Sequence, residues 1–125
     1  MKILVVDDSA TMRRIIIKNL NSCGYHDIIQ ATNGEEAVAL LTGVDLIMTD
    51  WIMPVMDGLS LVRYIRSKSE TKDIPIIMVT SQAAQKEVIE ALKNGVNDYI
   101  VKPFTARTLV EKVESLVKKS HPLNA

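Results

Sequence analysis

Cys23 is the only cysteine in 125 residues. That excludes an internal disulfide and every metal site built from several thiolates, and leaves Cys23 as a small buried or half-buried thiol on a helix. An excess of one charge is also missing, since 15 Lys and Arg balance 15 Asp and Glu. Gripping a phosphate backbone takes surplus positive charge, so no direct nucleic-acid partner is expected. Long apolar runs are absent: "ILVV" at 3–6 is typical, against the roughly 20 residues that cross a bilayer. The opening residues show no signal-peptide pattern. The expectation is a soluble, cytoplasmic protein with no membrane insertion. No linker composition interrupts the chain, which at this length suits one domain burying roughly two-thirds of its unfolded surface.

What is present is an alternation. "KILVV" (2–6), "DIIQA" (27–31), "DLIMT" (45–49), "PIIMVT" (75–80) and "DYIVK" (98–102) are strand candidates. Their continuous hydrophobicity fits parallel strands covered on both faces. Between them, Met12, Ile15, Ile16 and Leu20 form one helical stripe, and Leu109, Val113, Leu116 and Val117 form another. Gly24, Gly43 and Gly95 follow helical stretches, where a residue free to take positive φ closes the last turn. Five β-then-α units are the sequence form of an α/β fold, a doubly wound five-stranded parallel sheet with helices on both faces. Short connections and right-handed crossovers favour the order 2-1-3-4-5. Residues 1–120 are then one domain, and 121–125 a frayed tail.

The strand endings carry the chemistry. The first ends in Asp7-Asp8, the third in Asp50, the fourth in Thr80-Ser81 and the fifth in Lys102-Pro103. Ligands in such sheets bind outside the carboxyl ends of the strands, where the winding reverses. Three carboxylates gathered there repel by about 4 kcal/mol per pair at roughly 4 Å and an effective dielectric near 20. A cation is needed. An oxygen-only ligand set favours Mg²⁺, which takes one or two carboxylates plus a phosphate. Lys102 adds a second positive charge. Taken singly, Asp7-Asp8 could equally be a solvated pair or a helix cap; acid, acid, hydroxyl and amine on four strand ends is a constellation.

"VVDDSATMRR", "MTDWIMPVMDGL", "IIMVTS" and "YIVKPFT" resemble the signature segments of response-regulator receiver domains, over nearly the whole chain. "ATMRR", the Asp50-Trp51 pair, "MPVMDG" and "VKPFT" bring it nearest to the single-domain chemotaxis members. The order 2-1-3-4-5, flavodoxin-like, is already known for those members and is no discovery of the spacing. The resemblance implies that Asp50 is the phosphoryl acceptor. Asp7, Asp8, Asp50 and the main-chain carbonyl of Ile52 would hold Mg²⁺. Lys102, the Thr80 hydroxyl and main-chain N–H groups near Trp51 and Ser81 would receive the phosphoryl oxygens. It also favours a cis bond at Lys102-Pro103.

The same resemblance implies a switch in which Thr80 moves toward the phosphate and Tyr99 swings inward. The face that changes comprises a helix over about 83–94, the fifth strand and a helix over about 105–119. Without the resemblance Tyr99 reads as a half-buried strand aromatic with its hydroxyl in water. The implied partners are a CheA-like histidine kinase as phosphodonor and a flagellar motor switch protein as target, with the chain itself a monomer. Such a protein is a signalling switch that catalyses its own phosphorylation and slow dephosphorylation. Asp57 reads as a turn or cap residue and Trp51 as a partly exposed rim residue. His26 and His121 read as surface bystanders, and Lys86, Lys93, Arg107 and Lys112 as a solvated face.

Two positions depart from the chemotaxis pattern. Ile52 stands where Asn is common and Gln82 where Glu is common. Both flank the path of the hydrolytic water, so Ile52, unable to hold that water by a side-chain hydrogen bond, predicts slower self-dephosphorylation than in a relative bearing Asn. Phosphorelay duty remains an alternative to motor control. A phosphohydrolase with an Asp50 nucleophile is a poorer fit, because a second Asp two residues on is expected and Ile52 is there. A flavin or nucleotide carrier is poorer still: Asp7-Asp8 occupy the first loop and no GxGxxG follows.

Overall fold

Five β-then-α units follow one another in the computed structural model, which describes residues 1–120. The expected tail and His121 lie outside the described residues. The elements are β1 (Ile3–Val6), α1 (Ala10–Ser22), β2 (Ile28–Ala31), α2 (Gly34–Val38), β3 (Leu46–Thr49), α3 (Gly58–Ser67), β4 (Ile76–Thr80), α4 (Gln85–Lys93), β5 (Asp98–Val101) and α5 (Ala106–Ser120). All strand pairs are parallel, in the order β2-β1-β3-β4-β5, with Ile3 opposite both Ile28 and Leu46. The expected doubly wound sheet is the one observed.

Each strand is one residue shorter than its run, losing a polar or Pro flank. Those flanks are otherwise employed. Lys2 donates its N–H to the Asp45 carboxylate at 2.8 Å, Pro75 has no N–H to give, and the Asp27 carbonyl accepts from Ile3 just before the ladder begins.

The sheet separates two cores. Leu4 and Val6 of β1, Ile47 of β3 and Ile76 and Met78 of β4 join Leu59, Val62 and Ile65 of α3 on one face. Ile3, Val5, Met48, Ile77 and Val79 join Ile16 and Leu20 of α1 and Leu109, Val113 and Leu116 of α5 on the other. Because β1, β3 and β4 are buried throughout, each large side chain on either face contributes about 1.5–3 kcal/mol by leaving water. The edge strands are less covered: Ile28 and Ile29 of β2 are half-buried and Gln30 is exposed.

Two expectations are corrected. Ile15 is 42% exposed and falls off the α1 stripe. At about 100° per residue the buried face is centred between Met12, Ile16 and Leu20, and Ile17 rather than Ile15 packs against the core. Trp51 is buried, with Met53 and Leu59 in its cluster. The cause is a fold-back in which Gly58 donates its N–H to the Trp51 carbonyl at 2.7 Å, closing residues 52–57 into a loop whose Met53 and Met56 pack into the same cluster. Asp57 caps α3 by accepting from Ser60 N–H at 2.8 Å, His26 is exposed, and Cys23 is a half-buried helix-end thiol bonded to main-chain carbonyls of α1.

Candidate functional site

Parallel strands point their carboxyl ends to one edge, so Asp7 and Asp8 after β1 and Asp50 after β3 emerge side by side. One carboxylate oxygen from each lies within 4.8 Å of the others. Asp7 is 1% exposed and Asp50 9%, whereas Asp8 faces solvent. Burying two carboxylates so close together requires compensation, and it arrives from β5. Lys102 reaches across the end of β4 and places its Nζ 2.7 Å from Asp7 Oδ2 and 2.9 Å from Asp50 Oδ2. Burial alone would lower the pKa of this ammonium, but the hydrogen bonds and charges of Asp7 and Asp50 outweigh it and hold the group above its ordinary value. The Lys102-Pro103 bond is cis.

The acids are held by main chain as well. Trp51 N–H donates to Asp50 Oδ1 at 2.6 Å and Ser9 N–H to Asp7 Oδ1 at 2.9 Å, so both carboxylates are anchored through both oxygens. Thr49 is fully buried and donates its hydroxyl to the Asp50 carbonyl at 2.9 Å. Gly58 packs its Cα against that same carbonyl, leaving no space for a side chain. Downstream, Met56 N–H donates to Pro54 carbonyl at 2.8 Å around Val55, whose φ of +71° is costly for a β-branched residue. Gly34 at the start of α2 donates to the Met56 carbonyl at 2.9 Å and pins the far end of the loop.

Asp7, Asp8, Asp50 and Lys102 are thus brought together. Thr80 is fully buried at the end of β4, and its hydroxyl accepts from Gln82 N–H at 3.4 Å. The Ile52 side chain, two residues past Asp50, is 59% exposed and turned to solvent. Tyr99 is buried, and its hydroxyl donates to the Gln82 carbonyl at 2.5 Å instead of facing water. Burial first, then the charges of Glu87 and Asp50, push this phenol up to about 12. Among the solvated lysines, Lys112 pairs with Asp98 at 2.9 Å.

Arg13 is a residue that sequence reasoning passed over. It donates Nη1 to the Asp7 carbonyl at 2.6 Å and Nε to Gln30 Oε1 at 2.9 Å. Nothing in its spacing marks it, since adjacent Arg13 and Arg14 are alike until the turn of α1 is fixed. Thr49 and Gly58 likewise carry no mark in the sequence of a role at Asp50, beyond glycine standing directly after the cap Asp57.

The donor set fits a hard divalent cation: three carboxylates from two strand ends, all oxygen, with an ammonium already sharing two of them. Residues 3–114 match the family described as response regulator receiver domain. The chain is 54% identical over 117 residues to chemotaxis protein CheY1 of Helicobacter pylori, covering 91% of this chain and 94% of that one. It is 52% identical over 120 residues to a chemotaxis protein CheY homolog of Campylobacter jejuni, covering 94% and 92%. Among solved structures, chemotaxis response regulator CheY4 of Vibrio cholerae superposes with a TM-score of 0.84 at 34% identity, covering 91% of this chain and 96% of that one. The chain belongs to the response regulator receiver domains of two-component signalling, and its kinship lies with the CheY chemotaxis regulators.

Proposed function

We propose that the chain is a phosphorylation switch whose acceptor is Asp50, and that it reports to a flagellar motor switch protein. The observation that carries this is the Lys102 ammonium bridging Asp7 and Asp50 beside Asp8. A lone acid on a rigid strand end, surrounded by groups that neutralise charge, is what in-line phosphoryl transfer needs, because the protein's work there is positioning and electrostatics.

In the step, an oxygen of the Asp50 carboxylate forms a bond to phosphorus. The bond from phosphorus to the donor breaks, releasing the imidazole of a histidine kinase or the acetate of acetyl phosphate, and an acyl phosphate results. Trp51 N–H and Lys102 fix the attacking carboxylate in advance. Asp7, Asp8, Asp50 and the Ile52 main-chain carbonyl would hold Mg²⁺, which when bound neutralises charge on the transferring group. Lys102 keeps its bond to Asp7 and turns its remaining donors to the phosphoryl oxygens, and the Thr80 hydroxyl leaves Gln82 N–H to do the same. Since Gln82 also accepts from Tyr99, movement at Thr80 is felt at β5, and α4, β5 and α5 form the output face. Exposed Ile89, Leu92 and Val101 give that face apolar contact area. The chain would act in the cytoplasm as a monomer; a phosphorelay role, passing the group to a second histidine protein, uses the same chemistry.

Incubation with Mg²⁺ and acetyl phosphate, followed by intact mass, tests the acceptor. The wild type gains one phosphoryl group and Asp50→Asn does not. A gain that survives in the mutant moves the acceptor elsewhere. Binding to a motor switch protein that rises on phosphorylation separates motor control from relay duty.

A further inference from the structure

Given the assignment of Asp7, Asp8 and Asp50 as the Mg²⁺ ligands, we propose that Arg13 is a positioning residue for the Asp7–Asp8 pair. Asp7 N–H still belongs to the sheet, donating to the Ala31 carbonyl at 3.1 Å. Its carbonyl has left the ladder, because the chain turns there into Ser9, the N-cap of α1. A main-chain oxygen on a residue 1% exposed needs a donor. Arg13, one turn into α1, supplies it at 2.6 Å. Each polar group of Asp7 is then engaged: N–H by Ala31, Oδ1 by Ser9, Oδ2 by Lys102 and carbonyl by Arg13. Asp8, exposed and the next residue along, takes its direction from that fixed turn.

The guanidinium is itself anchored. Its Nε donates to Gln30 on β2 at 2.9 Å, and its charge acts on Glu36, whose carboxylate caps Thr32 N–H at 2.8 Å. Two donors in a rigid fork let one side chain tie α1, β2 and the end of β1 together, which a lysine ammonium does less well. Partners that orient metal ligands without touching the metal typically matter to affinity by factors of about 10–100.

Arg13 has a second, opposite effect. It is a fixed cation beside an acidic cluster, and by charge alone its removal would tighten Mg²⁺ binding. The sign of the change therefore discriminates. Mg²⁺ affinity is read from Trp51 fluorescence and, independently, from the rise of Tm with Mg²⁺ concentration. Arg13→Met is expected to bind Mg²⁺ about tenfold more weakly than wild type. Its Mg²⁺-free far-UV circular dichroism should stay that of wild type, and Arg13→Lys should fall between the two. Affinity equal to or tighter than wild type in Arg13→Met overturns the proposal. Should Arg13→Met not fold, Arg13→Lys decides: weaker binding supports the fork, unchanged binding overturns it. Asp8→Asn serves as the control for the site itself. If wild type and Asp8→Asn bind Mg²⁺ alike, the ligand assignment fails and the role of Arg13 falls with it. If only Asp8→Asn is weakened, the assignment stands and the role of Arg13 fails alone.

Discussion

The Asp50 carbonyl is boxed in by Thr49 and Gly58, and Gly58 is the less replaceable of the two. A Cβ at Gly58 would stand 1.9 Å from that oxygen and 2.9 Å from Trp51 Cα, both main-chain atoms that cannot rotate away. Local propensity argues the other way, since Ala in a helix is favoured over Gly by about 1 kcal/mol. Overpacking of roughly 1–3 kcal/mol, against backbone that holds the site, should win. Gly58→Ala is expected to lower the urea midpoint and to slow phosphoryl uptake from acetyl phosphate; a raised midpoint would contradict the packing account. At Ile52, 59% exposed, the apolar side chain offers the hydrolytic water no hydrogen bond. Such a bond is worth about 1 kcal/mol, or roughly a fivefold change in rate. Ile52→Asn should shorten the lifetime of the aspartyl phosphate by that order, followed by loss of the phosphorylated mass after the donor is removed. Equal lifetimes would sink the idea.

Between elements, one side chain ties the opposite edge of the sheet. Arg66 of α3 donates Nε and Nη2 to the Gly95 carbonyl at 3.0 and 2.7 Å and Nη1 to the Lys72 and Ile74 carbonyls at 2.8 and 2.7 Å. It also reaches Asn97 Oδ1 at 2.9 Å, an oxygen that accepts from Ile76 N–H as β4 begins. The connections α3–β4 and α4–β5 are thereby clipped to one helix. Losing charge-assisted bonds and leaving carbonyls without donors costs about 3 kcal/mol. Arg66→Met should lose about that much in chemical unfolding. Phosphorylation of the folded fraction should be unchanged, because the acids sit at the far ends of the strands. Strong loss of phosphorylation with little loss of stability would mean that the two edges are coupled.

At the scale of the molecule, the Tyr99 latch makes stability depend on alkaline pH. The native phenol titrates at about 12, above the value near 10 of an unfolded tyrosine. Between those values the folded chain holds a proton that the unfolded chain has released, so stability falls as pH rises. The contribution is complete below pH 10 and lost through about pH 12. Lys102, also raised, loses its contribution in the same direction above its unfolded value. Tyr99→Phe should therefore reduce the alkaline slope of unfolding free energy without abolishing it, and should remove the latest phenolate absorbance step among the three tyrosines. An unchanged slope would place the Tyr99 hydroxyl in water.

Whatever is local or periodic in this molecule is legible in its residues. Apolar runs set five strands, their two-sided hydrophobicity set the buried sheet, and the residues at or just past the ends of those runs placed Asp7, Asp8, Asp50 and Lys102 on one edge. Pattern matching could do no more for Ile15 and Trp51, whose burial depends on how α1 is rotated and on the fold-back closed by Gly58. Tertiary structure alone decided that Lys102 spans Asp7 and Asp50, that Tyr99 is bonded inward to Gln82, and that Arg13 rather than Arg14 holds Asp7. The physical reason is range. Helix and strand periods constrain residues within one element, whereas these contacts join separate elements whose rotation and register are fixed only when both cores close.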